Sequence, residues 1–167
     1  MLPLLPILLN LLKLEEFKCR PLTEGEIHLC KCVFGELIDY STVRIMNQPF
    51  IPWQSQHAVM APSGYIHALN LHYKNDYAKE STAYQALLIH EMAHIYQYQH
   101  GVNVLVRGAI LQSAFFISLR TYNPYHYTLK PNKSFADYNI EQQGDIARDI
   151  FLKKIPNIIL HPELAPF

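Results

Sequence analysis

What the chain lacks narrows the field first. It carries no net charge, with 14 Lys+Arg against 14 Asp+Glu in 167 residues. That excludes the basic excess of a nucleic-acid-binding domain, and a chain that is half hydrophobic is not a disordered one. Cysteine is scarce. Cys19, Cys30 and Cys32 are odd in number and crowded near the N-terminus, which makes a poor disulfide framework. Cys30-x-Cys32 has no second pair to close a metal site, so these residues read as reduced thiols. No apolar run is long enough to span a bilayer. The opening "MLPLLPILLNLLKLEEF" has no basic residue before its apolar stretch, two interrupting prolines and no small-residue cleavage site, so it lacks the marks of a secretory signal. Residues 1–20 are therefore expected to form an apolar arm that packs or touches a partner or membrane surface. The chain is expected to be made in the cytoplasm without Sec-like export. Internal repeats and low-complexity tracts are missing too, and 21–167 reads as one domain.

What is present has a clear order. In "PLTEGEIHLCKCVFGELI", Thr23 and Glu26 form a capping-box pattern, and Ile27, Cys30, Val33 and Phe34 recur at helical spacing. "VRIMNQPFI" predicts a strand ending at a proline, and "HAVMAPSGYIHALNLHY" predicts two short strands around Pro62-Ser63-Gly64. Thr82 to His100 is helical in pattern and closed by Gly101. "VNVLVRGAILQSAFFISLR" predicts a second, very apolar helix. Its Arg107, its Gln112 and its modest length point to a buried core helix rather than a membrane span. A tyrosine-rich loop leads to a last helix from about Asp137 to Lys154. A small sheet first and helices later make an α+β fold.

Nine histidines deserve tracing, because imidazole is the commonest metal ligand. "HEMAH" puts His90 and His94 one helical turn apart, facing the same way, so that both can grip one Zn²⁺. Glu91 follows the first ligand directly and can take a proton from a metal-activated water. The run Ala86-Leu87-Leu88-Ile89 would bury this helix and hold the site rigid. A third ligand is needed. His100 is a poor one, since the helix runs straight to it with no glycine to bend the chain. Glu141 is better: it stands four residues before Asp145 on the last helix, so Glu141 can bind metal while Asp145 orients a ligand histidine. The plainer alternative pairs these carboxylates with Arg148 on a solvated face. An oxyanion needs a further donor. Tyr122, Tyr125, His126, Tyr127 and Tyr138 all precede Glu141 closely enough to reach it, and Tyr127 and Tyr138 are carried forward as catalytic candidates. His57, His67 and His72 alternate on the predicted hairpin, as surface or cleft-wall residues.

These motifs resemble zincin metallopeptidases of the glutamate-ligand type. More closely, "LTEGEIHLCKCVFGELIDYSTVRI", "APSGYIHA", "HEMAHIYQYQ" and "YNIEQQGDIARDIF" resemble small bacterial H-E-x-x-H-x-x-Q proteins found in polymorphic-toxin and Rhs/VgrG-type secretion contexts. The resemblance implies a zincin-like fold with the sheet packed on the H-E-x-x-H helix. It implies a zinc metallopeptidase acting on a peptide or protein, possessing a secretion-apparatus partner or cognate inhibitor and exported by a specialised secretion system. By the same resemblance Gln97 would support the site through hydrogen bonds. The strand at Gly64–Leu69 would be an edge that receives extended substrate, bringing Tyr65 and His67 near it. A peptidoglycan cross-link hydrolase with the same chemistry, and a zinc-stabilised module that cleaves nothing, are the alternatives.

Overall fold

Thr23 starts the first helix, and the computed structural model, which describes residues 17–165, has both halves of the capping box. The Thr23 hydroxyl accepts from the Glu26 amide at 3.1 Å, and Glu26 Oε2 accepts from the Thr23 amide at 2.8 Å. Helix α1 (Glu24–Phe34) follows. Glu26 is fully buried. It is held by the Arg20 guanidinium fork at 2.7 and 2.8 Å and by the Tyr77 amide at 2.8 Å. Arg20 lies in strand β1 (Cys19–Pro21), so this pair ties the first strand to the first helix. Removing one partner would strand a buried charge, at about 3–5 kcal/mol. The opening as far as residue 16, where most of the expected arm falls, lies outside the described residues.

Strands β2 (Arg44–Met46), β3 (Val59–Met60) and β4 (Tyr65–Ala68) complete a mixed sheet in the order β1-β2-β4-β3. The β1–β2 and β3–β4 pairs are antiparallel, and β2–β4 is parallel, with Ile45 opposite Ile66. Both isoleucines join one core cluster with Phe34 of α1 and with Leu88, Ile89, Met92 and Ile95 of helix α2 (Thr82–Gln99). Each such side chain contributes about 1.5–3 kcal/mol of burial. The edge strand is β3, not the 64–69 segment expected from the resemblance. Val59 and Met60 pair with Ala68 and His67, covering the second half of β4 on that side.

The remainder is mainly helical, as an α+β chain with its sheet first requires. Helix α4 (Ile140–Phe151) makes its most extensive contact with α2. It begins three residues later than the pattern predicts because Asn139 is its cap, accepting from the Glu141 and Gln142 amides at 2.9 Å. Phe135–Asp137 forms a separate 3₁₀ turn, closed locally by Ser134 and Asp137. Helix α3 (Val104–Ile117) corrects an expectation: Val104 is its one buried residue, while Leu105, Val106, Ile110, Phe116 and Ile117 are exposed. It meets α4 along a narrow line where Gly108 faces Ile140, and apolar composition alone does not tell a covered helix from an uncovered one. Among the described residues no helix is long and apolar enough to cross a membrane.

Candidate metal centre

Helix α2 delivers two imidazoles to one spot, and the first turn of α4 delivers a carboxylate to meet them. The His90 and His94 rings stand 5.1 Å apart at 78°. Glu141 Oε2 lies 3.5 Å from His90 Nε2 and 3.8 Å from His94 Nε2. Those separations are long for hydrogen bonds. They are near the roughly 3.3 Å between neighbouring donors around a tetrahedral ion with bonds of about 2.0–2.1 Å. One ligand atom from each residue lies within 4.8 Å of the others, so the three form a cluster able to hold a metal. Two neutral imidazoles and a carboxylate are a donor set that suits zinc.

The other face of each ring is already engaged. His90 Nδ1 is 3.1 Å from Asp145 Oδ1, which also accepts from Arg148 Nη1 at 2.6 Å. Asp145 therefore contacts both of the residues that the two sequence readings gave it, His90 and Arg148. His94 Nδ1 is 2.9 Å from Gln97 Oε1. The Gln97 amide cannot turn round, because its Nε2 donates at 2.9 Å to both the Ile140 carbonyl and Gln143 Oε1. Gln143 in turn donates to the Tyr138 carbonyl at 2.8 Å. A carboxylate oxygen and a fixed amide oxygen both accept, so each histidine keeps a proton on Nδ1 and Nε2 is the ring nitrogen that faces Glu141. Gly144 makes room for this. A Cβ built there would come within 2.5 Å of His90 Cε1.

Charge around the cluster follows from that packing. Burial works against a charged His90, yet the carboxylates of Asp145, Glu141 and Glu91 push its pKa up to about 10 in the metal-free protein. Burial likewise opposes ionised Glu141, but the two imidazoles and the Tyr125 hydroxyl hold its pKa below the usual value. Glu91 goes the other way. It is buried, its Oε2 has no hydrogen-bond partner among the described residues, and burial raises its pKa against the pull of His94 and His90.

The sequence candidates divide accordingly. His90, His94, Glu141, Asp145 and Gln97 come together. Tyr127 donates to Asp149 at 2.7 Å, and the buried Tyr138 hydroxyl lies between the Thr128 carbonyl and the Lys130 amide at 3.2 and 3.0 Å. Tyr125 is the tyrosine whose hydroxyl interacts with Glu141, and burial followed by the Glu141, Asp145 and Glu91 charges pushes its pKa up to about 12. Tyr65 is exposed at the start of β4. His67 is turned under the segment that follows β2, with Nδ1 3.2 Å from the Gln48 carbonyl and its ring edge-on to Phe50. His100 caps the end of α2, its Nδ1 2.8 Å from the Tyr96 carbonyl, and is not one of the three residues of the cluster. Sequence reasoning passed over Gln143 and Gly144. A glycine inside an otherwise helical pattern was the available signal for the second.

No family model matches the chain. It is 52% identical over 136 residues, 81% of its length, to the Type VI secretion system spike protein VgrG2b of Pseudomonas aeruginosa. Those residues span only 13% of the spike protein. The solved effector domain of P. aeruginosa VgrG2b superimposes with a TM-score of 0.73 at 51% identity, over 80% of this chain and 73% of that one. An identity of this size, across most of both chains, decides the matter: the chain belongs to the family of VgrG2b-type effector domains.

Proposed function

We propose that this domain is a zinc-dependent hydrolase of amide bonds, of the zincin type, in which His90, His94 and Glu141 hold the metal and Glu91 is the general base. The observation that carries the reading is a buried, unpartnered Glu91 oxygen beside a cluster of three ligands. A structural zinc site is normally closed by four protein ligands. Among the described residues no fourth His, Cys, Asp or Glu joins this cluster, which favours catalysis over a purely structural role. Zinc held there would polarise the scissile carbonyl and bring the pKa of water down towards about 7.

The chain's own residues supply the rest. Glu91, its pKa raised by burial, takes one proton from the attacking water and returns it to the leaving nitrogen as the C–N bond breaks. Water and amide become carboxylic acid and amine, and Glu91 ends as it began. Tyr125, which interacts with Glu141, is the donor assigned to the developing oxyanion, in the part first sought in Tyr127 and Tyr138. Asp145 and Gln97 hold the two rings in place. The name of the P. aeruginosa relative supports export through a secretion spike after synthesis in the cytoplasm, with a secretion-apparatus protein as partner; a cognate inhibitor protein is a further partner of this proposal.

The test is Glu91→Gln, with zinc per chain read by elemental mass spectrometry and turnover read on an unfolded protein and on purified sacculi. The expected result is about one zinc per chain in both proteins, with turnover of one substrate reduced by at least about 10²–10⁴-fold in the variant. Turnover that survives the substitution would remove Glu91 from the mechanism. A wild-type protein that binds zinc and cleaves neither substrate would turn the reading towards a non-catalytic module.

A further inference from the structure

We propose that helix α3 and the turn after it form a docking surface for an anionic lipid bilayer, on which the helix lies rather than spans. Leu105, Val106, Ile110, Phe116, Ile117 and Leu119 are all exposed, the last two at 83% and 87%. Together they make an apolar surface on the order of several hundred Å², as large as the largest patch on an ordinary monomer. Leu119 and Arg120 both adopt positive φ, 52° and 68°, a conformation that side-chain-bearing residues rarely take. The turn is closed by the Arg120 amide donating to the Phe115 carbonyl at 2.9 Å. Strain of this kind persists where the structure enforces it and clusters at functional surfaces.

Charge identifies the occupant. From residue 92 to residue 136 the chain contains no Asp or Glu, while Arg107, Arg120, Lys130 and Lys133 lie within that stretch. Arg107 and Arg120 are exposed, and neither side chain has a hydrogen bond or ion pair among the described residues. Tyr122 is exposed just beyond the helix, the residue type that settles at headgroup depth. An apolar helix face with cations at its margins and a tyrosine beside it matches the interface of an anionic membrane. Fourteen residues give about 21 Å of helix, short of the roughly 30 Å hydrocarbon core. The surface is also wired to the metal cluster. Asn139 donates to the Pro124 carbonyl at 3.0 Å, and Gln142 to the His126 carbonyl at 2.7 Å. Docking through α3 would hold the cluster close to whatever the lipid surface carries.

The experiment is co-sedimentation of the full chain with vesicles of phosphatidylethanolamine and phosphatidylglycerol (3:1), against vesicles of phosphatidylcholine alone. Binding to the anionic vesicles is expected to be at least about tenfold tighter and to weaken with salt. The double variant Ile117→Asp, Leu119→Asp should lose it about tenfold or more while circular dichroism and thermal midpoint stay unchanged. Ile110→Glu, on the same face, is the second variant should the first not fold. Failure to sediment with either vesicle would overturn the proposal. So would undiminished binding by the folded variants, which would assign the contact to another segment. A wild-type dimer that the same variants convert to monomer would place a second copy on this face instead.

Discussion

Replacing Gly144 with alanine removes no contact and adds one methyl group, at the point where α4 lies against His90. Two effects oppose each other. In a helix interior alanine is favoured over glycine by about 0.5–1 kcal/mol. The new Cβ, however, would stand 2.5 Å from His90 Cε1 and 2.7 Å from both ring nitrogens, where contacts of about 3.5–4.0 Å are ordinary. The ring must therefore retreat by roughly 1 Å, and overpacking of this kind costs about 1–3 kcal/mol. The net effect on the metal-free protein is a loss between about zero and 2.5 kcal/mol, which lowers the midpoint by no more than about 10 °C. Metal binding should suffer far more, since ligand distances tolerate only about 0.2 Å. A His90 ring displaced by 1 Å also leaves Asp145 behind. Competition with a chromophoric chelator should show zinc affinity falling at least about 100-fold, some 2.7 kcal/mol. Affinity within threefold of the wild type would refute the argument, because His90 would then not be needed where it stands.

Three other perturbations test different parts of the site. In the metal-free protein His90 has its pKa raised to about 10. Its stabilising effect is thus complete below the ordinary value near 6.5 and is lost as pH rises through 10, so the metal-free midpoint should fall on going from pH 7 to 10. Because zinc must displace that proton, apparent zinc affinity should rise by about tenfold per pH unit between 7 and 9; a flat profile by isothermal titration would contradict it. Gln97→Leu leaves the His94 N–H, the Ile140 carbonyl and one bond to Gln143 unmet, at about 1–3 kcal/mol for each buried group. Denaturant unfolding should show a loss of roughly 3 kcal/mol, and a loss below about 1 kcal/mol would mean that these groups find other partners. Tyr125→Phe should lower kcat by about 10²-fold with KM and zinc content little changed; an unaltered kcat would leave Tyr125 as a packing residue.

What the sequence made legible was local. Thr23 and Glu26 are three residues apart, so their capping box can be read without knowing the fold. His90 and His94 need only a helix to face the same way, and Glu141 and Asp145 need only another. Less legible were features that depend on how distant segments meet. Strand β1 is three residues, Cys-Arg-Pro, with no periodicity to detect; it exists because β2 pairs with it and Glu26 holds Arg20. The exposure of α3 is decided by what packs on it, and its residues are those of a covered helix. Choosing among Tyr125, Tyr127 and Tyr138 required the path of the loop after α3. Two consecutive positive-φ residues turn that loop in a way that side-chain-bearing residues do not announce.

The spacing of the ligands along the chain also sets an order of events. His90 and His94 are neighbours as soon as α2 forms, but His90 and Asp145 are 55 residues apart, and Gln97 and Gln143 are 46 apart. Closing such loops is the slow, entropically costly part of folding. The full ligand set therefore arrives only when α4 docks on α2, and the same event satisfies the Gln97 amide and fixes the His94 tautomer. A chain held open at that joint has two weakly organised histidines and no chemistry. Under the proposed function, metal capture would therefore act as a completion signal: the site would become competent at the step that commits the C-terminal half of the domain to its native place.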